Sequence, residues 1–350
     1  MKKQTSPFKE DAIVNKYGVG VSHPLLPQNK ALILLTSLNS KKDMVEPSLF
    51  DSLQKTAKFN EVKLKFLTKW GVAESQLFDF VMIKFHQQND HEHTNEIVFT
   101  LSEWMNVRKL KDKKTARNNL KALATNMLSL QLEYSKKSNS KKSNKGGKDK
   151  AFTFMNLFST FVYLNGTVHV KFNDDFTRLI NNGTMPMPYD ELLFELDPKH
   201  EATSWYIYKE LLANKHMNHP QKRANWMYVS TLLKYCRNLP TYDEVMSSDK
   251  AITRRIIEPF LKGLERLYTK DEKHGINYHI LNDQGNIVDY QHLTYDSFTK
   301  CKIVIDEWYD YPTEWADNYV TRGITAKQKA IERNRKRKQE REKKRLLQNN

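Results

Sequence analysis

The feature of this chain that most limits its fold is an order of periodic segments that occurs twice. In residues 62–180, a helical pattern is followed by a short extended segment, two further helical patterns, an alternating segment, a loop and more alternating segments. Residues 202–308 repeat this order in outline. Helix, strand, helix, helix, strand, loop, strand is the order of a winged helix, in which a β-hairpin follows a helix-turn-helix. The sequence therefore predicts an α+β fold with tandem winged-helix domains.

The first block begins with helical spacing over Ser75–Phe85 and an extended segment at Ile97–Phe99. Thr100 and Glu103 have the spacing of a capping box, which predicts a short helix that ends near Val107. The next helix begins near Asp112 or Thr115. The predicted strands are Leu130–Tyr134, a long strand over Phe152–Leu164, and Thr167–Phe172 after the hairpin signal Asn165-Gly166.

The second block has the same kinds of signal. Thr241 and Glu244 again have capping-box spacing. A long helix is predicted over Lys250–Tyr268, with a kink or break near Glu258 because Pro259 lies inside it. The other predicted elements are helices at Ala202–Met217 and Asn225–Arg237, and strands at Asn277–Leu281 and Lys302–Asp306.

Breaks in these patterns divide the chain. Prolines punctuate the N-terminal region, and Asn181-Asn182-Gly183 with Pro186 and Pro188 interrupts the chain between the blocks. The predicted units are an arm at 1–61, a winged-helix domain at 62–182, a linker at 183–201, a second winged-helix domain at 202–312, and a basic tail, helical or disordered, at 313–350.

Net charge indicates the kind of partner. Lys and Arg total 57 against 41 Asp and Glu, a formal charge of +16. This excess favours a polyanion, although a basic surface that serves only solubility is the alternative. Cys236 and Cys301 are too few and too far apart for a disulfide framework or a zinc site. With no secretory signal and no apolar run near the ~20 residues of a membrane span, we expect a cytoplasmic protein without membrane contacts.

Polar and basic residues on the predicted recognition helices are candidate DNA contacts, since such helices present side chains to base edges and phosphates in the major groove. A surface ion pair of Arg254 or Arg255 with Asp249 or Glu258 is the alternative. The candidates are Lys250, Thr253, Arg254 and Arg255 in the second block, and Lys113, Lys114, Arg117, Asn118 and Lys121 in the first.

Two further basic segments are candidate phosphate contacts. The loop Ser135–Lys150 contains seven Lys and one Asp, as expected for a wing tip, and the alternative is a solvated loop without a role. The stretch Lys327–Arg345 contains eleven Lys or Arg and three Glu, and it is either a nonspecific phosphate clamp or a solvated tail. The candidates are Lys141, Lys142, Lys145 and Lys148 in the loop, and Arg335, Arg337 and Lys338 in the tail.

Two patterns invite an enzymatic interpretation. His91-Glu92-His93 is similar to the paired histidines of a rolling-circle nickase, but a charged Glu stands where a hydrophobic spacer is needed. Tyr206-Ile207-Tyr208-Lys209 fits a loose Tyr-x-x-Lys pattern, yet Tyr208 falls on the apolar face of a helix and is expected in the core. No phosphate-binding Gly-x-x-x-x-Gly-Lys-Ser/Thr loop is present, and His216 and His219 are predicted surface residues. We therefore expect no enzyme activity, no cofactor and no metal.

The chain resembles the bacterial plasmid replication initiators built from two winged-helix domains, over roughly Val62–Trp308. The resemblance implies that the second domain reads repeated origin sites through Lys250, Arg254 and Arg255, while the first contacts DNA and mediates dimerisation. The stretches that carry it are Thr115–Leu120, Asn156–Ser159 with Val168–Asn173, and Ile252–Pro259.

The predicted function is therefore that of a sequence-specific, double-stranded DNA-binding replication initiator of a plasmid or mobile element, which binds repeated origin sites and promotes local opening. The partners implied are origin DNA, host replication proteins and a second copy of the chain. The alternatives are a transcription regulator or recombination accessory factor on the same scaffold, and a rolling-circle nicking initiator.

Overall fold

Helices and small antiparallel sheets alternate along the chain, which confirms the α+β class. The structure is a computed structural model. It describes residues 24–28, 61–66, 70–88, 90, 93–137, 150–183, 185–248, 251–268, 275–288, 293–309, 311–313 and 315–317.

The first half begins with helix α1 (Val72–His86), strand β3 (Glu96–Thr100) and the helix pair α2 (Leu101–Val107) and α3 (Lys113–Leu128). The Thr100 side chain accepts a hydrogen bond from the Glu103 N–H, and the Glu103 side chain accepts one from the Thr100 N–H. The predicted capping box is thus confirmed. It fixes where the strand ends and the helix-turn-helix begins.

Two three-stranded sheets flank these helices. One has the order β2-β4-β5, from Glu61–Phe66, Leu130–Lys137 and Lys150–Asn156, and the other has the order β3-β7-β6, with β6 at Phe158–Leu164 and β7 at Thr167–Phe172. The prediction of one long strand over Phe152–Leu164 was wrong. The chain changes sheets at Leu157, whose side chain is buried together with that of Phe158. Asn165 and Gly166 have positive φ angles of 49° and 85°, as the hairpin prediction requires.

The segment between the two blocks is packed. It contains helix α4 (Asp174–Gly183), strand β8 (Met185–Pro188), which pairs with β1 (Leu25–Gln28), and the single-turn helix α5 (Leu192–Glu195). Leu193 and Phe194 are fully buried. This segment therefore contributes to the core that joins the two halves, and the division into an arm, a linker and two domains stays a prediction.

The second half begins with helix α6 (Ala202–Asn218), a short 3₁₀ turn and strand β9 (Trp226–Tyr228). The predicted helix over Asn225–Arg237 begins only at Val229, because Trp226–Tyr228 pairs with β11 (Lys302–Trp308). The remaining elements are α7 (Val229–Tyr235), α8 (Tyr242–Met246), a π-helical turn at Thr253–Ile257, α9 (Glu258–Glu265), β10 (Ile276–Leu281) and α10 (Tyr295–Lys300), with sheet order β10-β11-β9.

Pro259 shapes the long helix of this half. Because proline has no backbone N–H, the regular series of i→i−4 hydrogen bonds of an α-helix is interrupted at Pro259. The Glu258 N–H donates instead to the Thr253 carbonyl, five residues back, and the helix resumes as α9. The predicted break near Glu258 is therefore confirmed as a π-helical turn.

The halves share one apolar core. Helices α1 and α6 are buried over most of their length and lie in the same cluster of buried side chains. Polar residues inside this core are paired across the halves, most notably Asp79 of α1 and Lys209 of α6. The relative placement of the two halves is thus fixed by packing as well as by the covalent connection.

Candidate nucleic-acid interface

Helix α3, the second helix of the first helix-turn-helix, has two distinct faces. Ala116, Leu120 and Met127 are buried against the core. The side chains that the sequence singled out are all exposed, namely Lys113, Lys114, Arg117, Asn118 and Lys121. Because the buried face fixes the rotation of the helix, these residues form one solvent-facing basic surface, here called the α3 surface.

The α3 surface is electrostatically unfavourable for the isolated protein. Cations near a helix N-terminus oppose the helix dipole, and like charges four residues apart, such as Lys113 with Arg117 and Arg117 with Lys121, repel. Among the described residues, no carboxylate lies within ion-pair distance of these cations. Asp112 caps the helix by accepting from the Thr115 N–H at 2.6 Å, and this contact lowers the pKa of Asp112. The α3 surface thus leaves positive charge available to an anionic partner.

The second helix-turn-helix consists of α8 and the long helix that begins with the π-helical turn. Thr253, Arg254 and Arg255 are exposed, while Ile256 and Ile257 are buried. The alternative pairing of these arginines with Glu258 does not occur, and no other carboxylate in the described part of the chain is within ion-pair distance of them. Both guanidinium groups therefore face solvent at the start of the helix that would enter a groove.

The β10–β11 connection begins with a tight turn. Asn282 accepts hydrogen bonds through Oδ1 from the N–H groups of Gln284 and Asn286, at 3.0 and 2.9 Å. Gly285 has a φ of +85°, which favours glycine. The turn presents Ile287 with 76% of its surface exposed. This turn has the position of a second wing, and the polar, glycine-containing segment Asp283–Asn286 is the sequence signal that could have predicted it.

Several of the predicted contacts are in segments outside the described residues. These segments are the Lys-rich loop, the residue before the second recognition helix and the basic tail. The residues concerned are Lys141, Lys142, Lys145, Lys148, Lys250, Arg335, Arg337 and Lys338.

The residues weighed for catalysis or metal binding can be compared with the structure. Tyr206 and Tyr208 are buried, and the Tyr208 hydroxyl is hydrogen-bonded to Asp190, which confirms Tyr208 as a core residue. His91 and Glu92 lie outside the described residues. Within the part of the chain that the structure covers, no group of His, Cys, Asp and Glu is arranged to hold a metal ion.

His216 and His219, predicted as surface residues rather than ligands, are half-buried near the end of α6. The His216 ring stacks on Trp315 at 6.1 Å, and His219 Nε2 lies 2.6 Å from Asp317 Oδ1. Burial lowers the pKa of His216 to about 4. The sequence could not show this, because the covering residues lie about a hundred positions further along the chain.

No helix among the described residues combines the length and the apolar character that crossing a bilayer requires.

Comparison with known proteins gives one match to a family model. Residues 52–185 match the model described as "Initiator Replication protein, WH1". A search of curated proteins found no match.

Solved structures show a more distant likeness. A crystal structure of domains 2 and 3 of RctB is 12% identical, with 70% of this chain and 86% of that chain covered and a TM-score of 0.41. A crystal structure of Pi initiator protein in complex with iteron DNA is 10% identical, with 67% and 91% covered and a TM-score of 0.39. A likeness as distant as this carries no inference about function.

Proposed function

We propose that this protein initiates plasmid replication by binding repeated double-stranded sites in an origin and promoting local opening beside them. The proposal starts from the match of residues 52–185 to the model described as "Initiator Replication protein, WH1". The WH1 match leaves the second half of the molecule outside it. The assignment of DNA-reading roles to individual residues in both halves is part of the proposal.

The observation that carries the proposal is the α3 surface. Its exposed cations have no carboxylate partner among the described residues, and they project from the helix that follows the turn of a helix-turn-helix. Cations in this position suit phosphates and guanine edges of a major groove. In the second half, Thr253, Arg254 and Arg255 occupy the corresponding place at the start of the recognition helix.

A division of labour follows from these positions. The second half reads the sequence of the repeat through Arg254, Arg255 and Lys250, while the first half adds contacts from Lys113, Lys114, Arg117, Asn118 and Lys121. The loop lysines Lys141, Lys142, Lys145 and Lys148 and the tail residues Arg335, Arg337 and Lys338 add phosphate contacts without sequence preference. A second copy docking through the first domain, host replication proteins as partners, and a cytoplasmic, non-catalytic mode of action without a cofactor belong to the same proposal.

The test is a footprint on the protein's own flanking DNA. A supercoiled plasmid that carries the gene and its neighbouring sequence is incubated with the protein and probed with hydroxyl radicals and permanganate. We expect several evenly spaced protected repeats, together with reactive thymines in an adjacent AT-rich segment.

Other outcomes would contradict the proposal. One isolated protected operator, with no plasmid maintenance in cells, would indicate a transcription regulator. A covalent protein–DNA adduct after incubation with Mg²⁺ would indicate a nicking enzyme. A variant in which Lys234, an exposed residue of α7, is replaced by Ala serves as the matched control for loss of a single positive charge away from both recognition helices.

A further inference from the structure

Arg108 lies within the basic turn of the first helix-turn-helix, but its side chain points into the protein. It is the C-cap residue of α2, and Lys109, Lys111 and Lys113 follow it toward α3. Its guanidinium Nη1 donates to the Phe194 carbonyl at 2.7 Å and to the Leu196 carbonyl at 3.3 Å, and it is also hydrogen-bonded to Gln76. Arg108 thus differs from Lys109, Lys111 and Lys113, whose side chains are exposed.

These contacts complete the end of α5. The last carbonyl groups of a helix have no partner within it, and a cation at that end is favoured by the helix dipole. Arg108 and Gln76 together satisfy this end, since Gln76 Nε2 donates to the carbonyls of Leu193 and Leu196 at 2.7 and 3.0 Å. Burial lowers the pKa of Arg108 only to about 10, so the guanidinium is charged at neutral pH.

The junction that Arg108 holds leads directly into the second half. Asp197 accepts hydrogen bonds from the N–H groups of Lys199 and His200 at 2.9 and 2.7 Å, and Glu201 accepts from the Asp197 N–H at 2.8 Å. These bonds shape the turn between α5 and α6. The start of α6 is therefore positioned by the same junction that Arg108 caps.

The start of α6 in turn contacts the second recognition helix. Glu201 forms an ion pair with Arg266, the C-cap residue of α9. On α9, Gly263 lies three residues before Arg266 and packs closely on Thr203 of α6. A Cβ atom at Gly263 would lie 2.8 Å from Thr203 Cγ2. A continuous set of contacts thus runs from the turn of the first helix-turn-helix to the helix that carries Arg254 and Arg255.

We propose that Arg108 is a positioning residue that holds the two helix-turn-helix units at one relative orientation, so that they engage DNA segments at one fixed spacing. The fixed spacing on DNA rests on the proposed DNA-binding function. The fixed orientation of the two helix-turn-helix units does not depend on that function. Arg108 touches no DNA in this proposal and acts through α5, Asp197 and α6.

The first experiment measures orientation without DNA. Spin labels are attached at Ala122→Cys on α3 and Glu265→Cys on α9, both exposed positions outside the proposed contacts, while the native Cys236 and Cys301 are buried. Double electron–electron resonance on the full chain should give one narrow distance distribution. The Arg108→Met variant should broaden it, and Arg108→Lys, which keeps the charge but loses the planar fork, should lie between the two.

The second experiment measures spacing on DNA. The probe is a duplex with one repeat taken from the footprint, and a matched duplex has about five base pairs, half a helical turn, inserted between the segments contacted by the two halves. The insertion should weaken wild-type binding on the order of tenfold or more, and Arg108→Met should lose most of this discrimination. Lys111→Ala, an exposed charge loss in the same turn, should weaken binding to both duplexes equally.

The outcomes separate the two proposals. Equally narrow distributions for wild type and Arg108→Met, or a broad one for wild type, would overturn the positioning role whatever the DNA result. Unchanged spacing discrimination in Arg108→Met would overturn it as well. If the wild type binds no repeat yet the distributions change as expected, the positioning role of Arg108 stands and the origin-binding function fails. Circular dichroism confirms that each variant is folded.

Discussion

Lys209 Nζ lies 2.5 Å from Asp79 Oδ2, and both side chains are buried where α1 of the first half meets α6 of the second. The Tyr189 hydroxyl donates to the same carboxylate at 3.0 Å. Burial raises the pKa of Asp79 and lowers that of Lys209, and each charge opposes the shift of the other. The ion pair therefore joins α1 and α6 at one specific position within their buried contact.

Replacing Lys209 with Met should destabilise the protein by about 3–5 kcal/mol, because the Asp79 carboxylate would stay buried without its cation. Urea unfolding followed by circular dichroism measures this loss. The double variant Asp79→Leu with Lys209→Met should be more stable than Lys209→Met alone. Lys300→Met, which breaks the exposed pair with Asp296, should change stability little. Equal effects of Lys209→Met and Lys300→Met would contradict this account.

Gly263→Ala should lower stability by about 1–3 kcal/mol, the usual cost of overpacking. The added methyl group would meet Thr203 Cγ2 at 2.8 Å and the Ser204 backbone nitrogen at 3.3 Å, which outweighs the better helix propensity of Ala. In a Thr203→Ser background the closest contact disappears, while the hydroxyl that accepts from Asn238 is kept. Thermal unfolding should therefore show partial recovery in that background, and Lys262→Ala on the exposed side of α9 is the control.

Replacing Arg254 and Arg255 with Ala should reduce affinity for the footprinted repeat by about 1–3 kcal/mol for each base that the protein no longer reads. Binding to a scrambled duplex of equal length should change far less, because phosphate contacts from other cations remain. Fluorescence anisotropy at one fixed salt concentration compares the two duplexes. A parallel loss of affinity for both would show that these arginines contact only phosphates, and Lys234→Ala should leave both affinities near the wild-type values.

Deletion of residues 327–350 should reduce the dependence of DNA binding on salt concentration and keep the preference for the repeat. The segment removed contains the eleven cations of Lys327–Arg345, and each phosphate contact contributes about 0.9 to the slope of log affinity against log salt. Titrations across a range of salt concentrations measure that slope. Loss of sequence preference on deletion would mean that the tail takes part in reading the repeat.

Acidification should weaken the packing around His216. This histidine has a folded-state pKa of about 4, below its ordinary value of 6.5. Between these two values the side chain is protonated in the unfolded chain and neutral in the folded protein. Stability is therefore fully present above about pH 6.5 and falls as the pH drops toward 4. Between pH 7 and pH 5, the wild type should lose up to about 2 kcal/mol more than His216→Phe.

The comparison with His216→Phe isolates the contribution of this histidine from those of all other groups. Phe preserves a flat ring against Trp315 and removes the titration. Equal losses in the two proteins would show that His216 is not the group responsible.

Local signals in the sequence identified most elements and the faces they present. Capping boxes at Thr100 and Thr241 marked helix starts that the structure confirms. Helical spacing of Ala116, Leu120 and Met127 was enough to place Lys114, Arg117 and Lys121 on the solvent side of α3, because one buried stripe determines the opposite face. The break at Pro259 was also predictable, since it follows from a missing N–H.

Elements that depend on distant partners were not predictable. Strand β9 exists because Trp226–Tyr228 pairs with Lys302–Val304, more than seventy residues later, and the local pattern there favoured a helix. The strand change at Leu157 was not predicted either, because it depends on β5 pairing with β4 while β6 pairs with β7. The single-turn helix α5 depends on capping by Gln76 and Arg108 from earlier in the chain.

The sequence by itself determined the order of elements, the amphipathic faces and the charge that suits a nucleic acid, because these depend on neighbours within a few residues. Only the tertiary structure decided that Lys209 forms an ion pair with Asp79 in the core. It also decided that Arg108 caps α5 while the adjacent cations of the same turn face solvent. The physical reason is that a charged side chain is buried only where a partner from elsewhere in the chain offsets its desolvation. That partner is a property of packing and not of the local pattern.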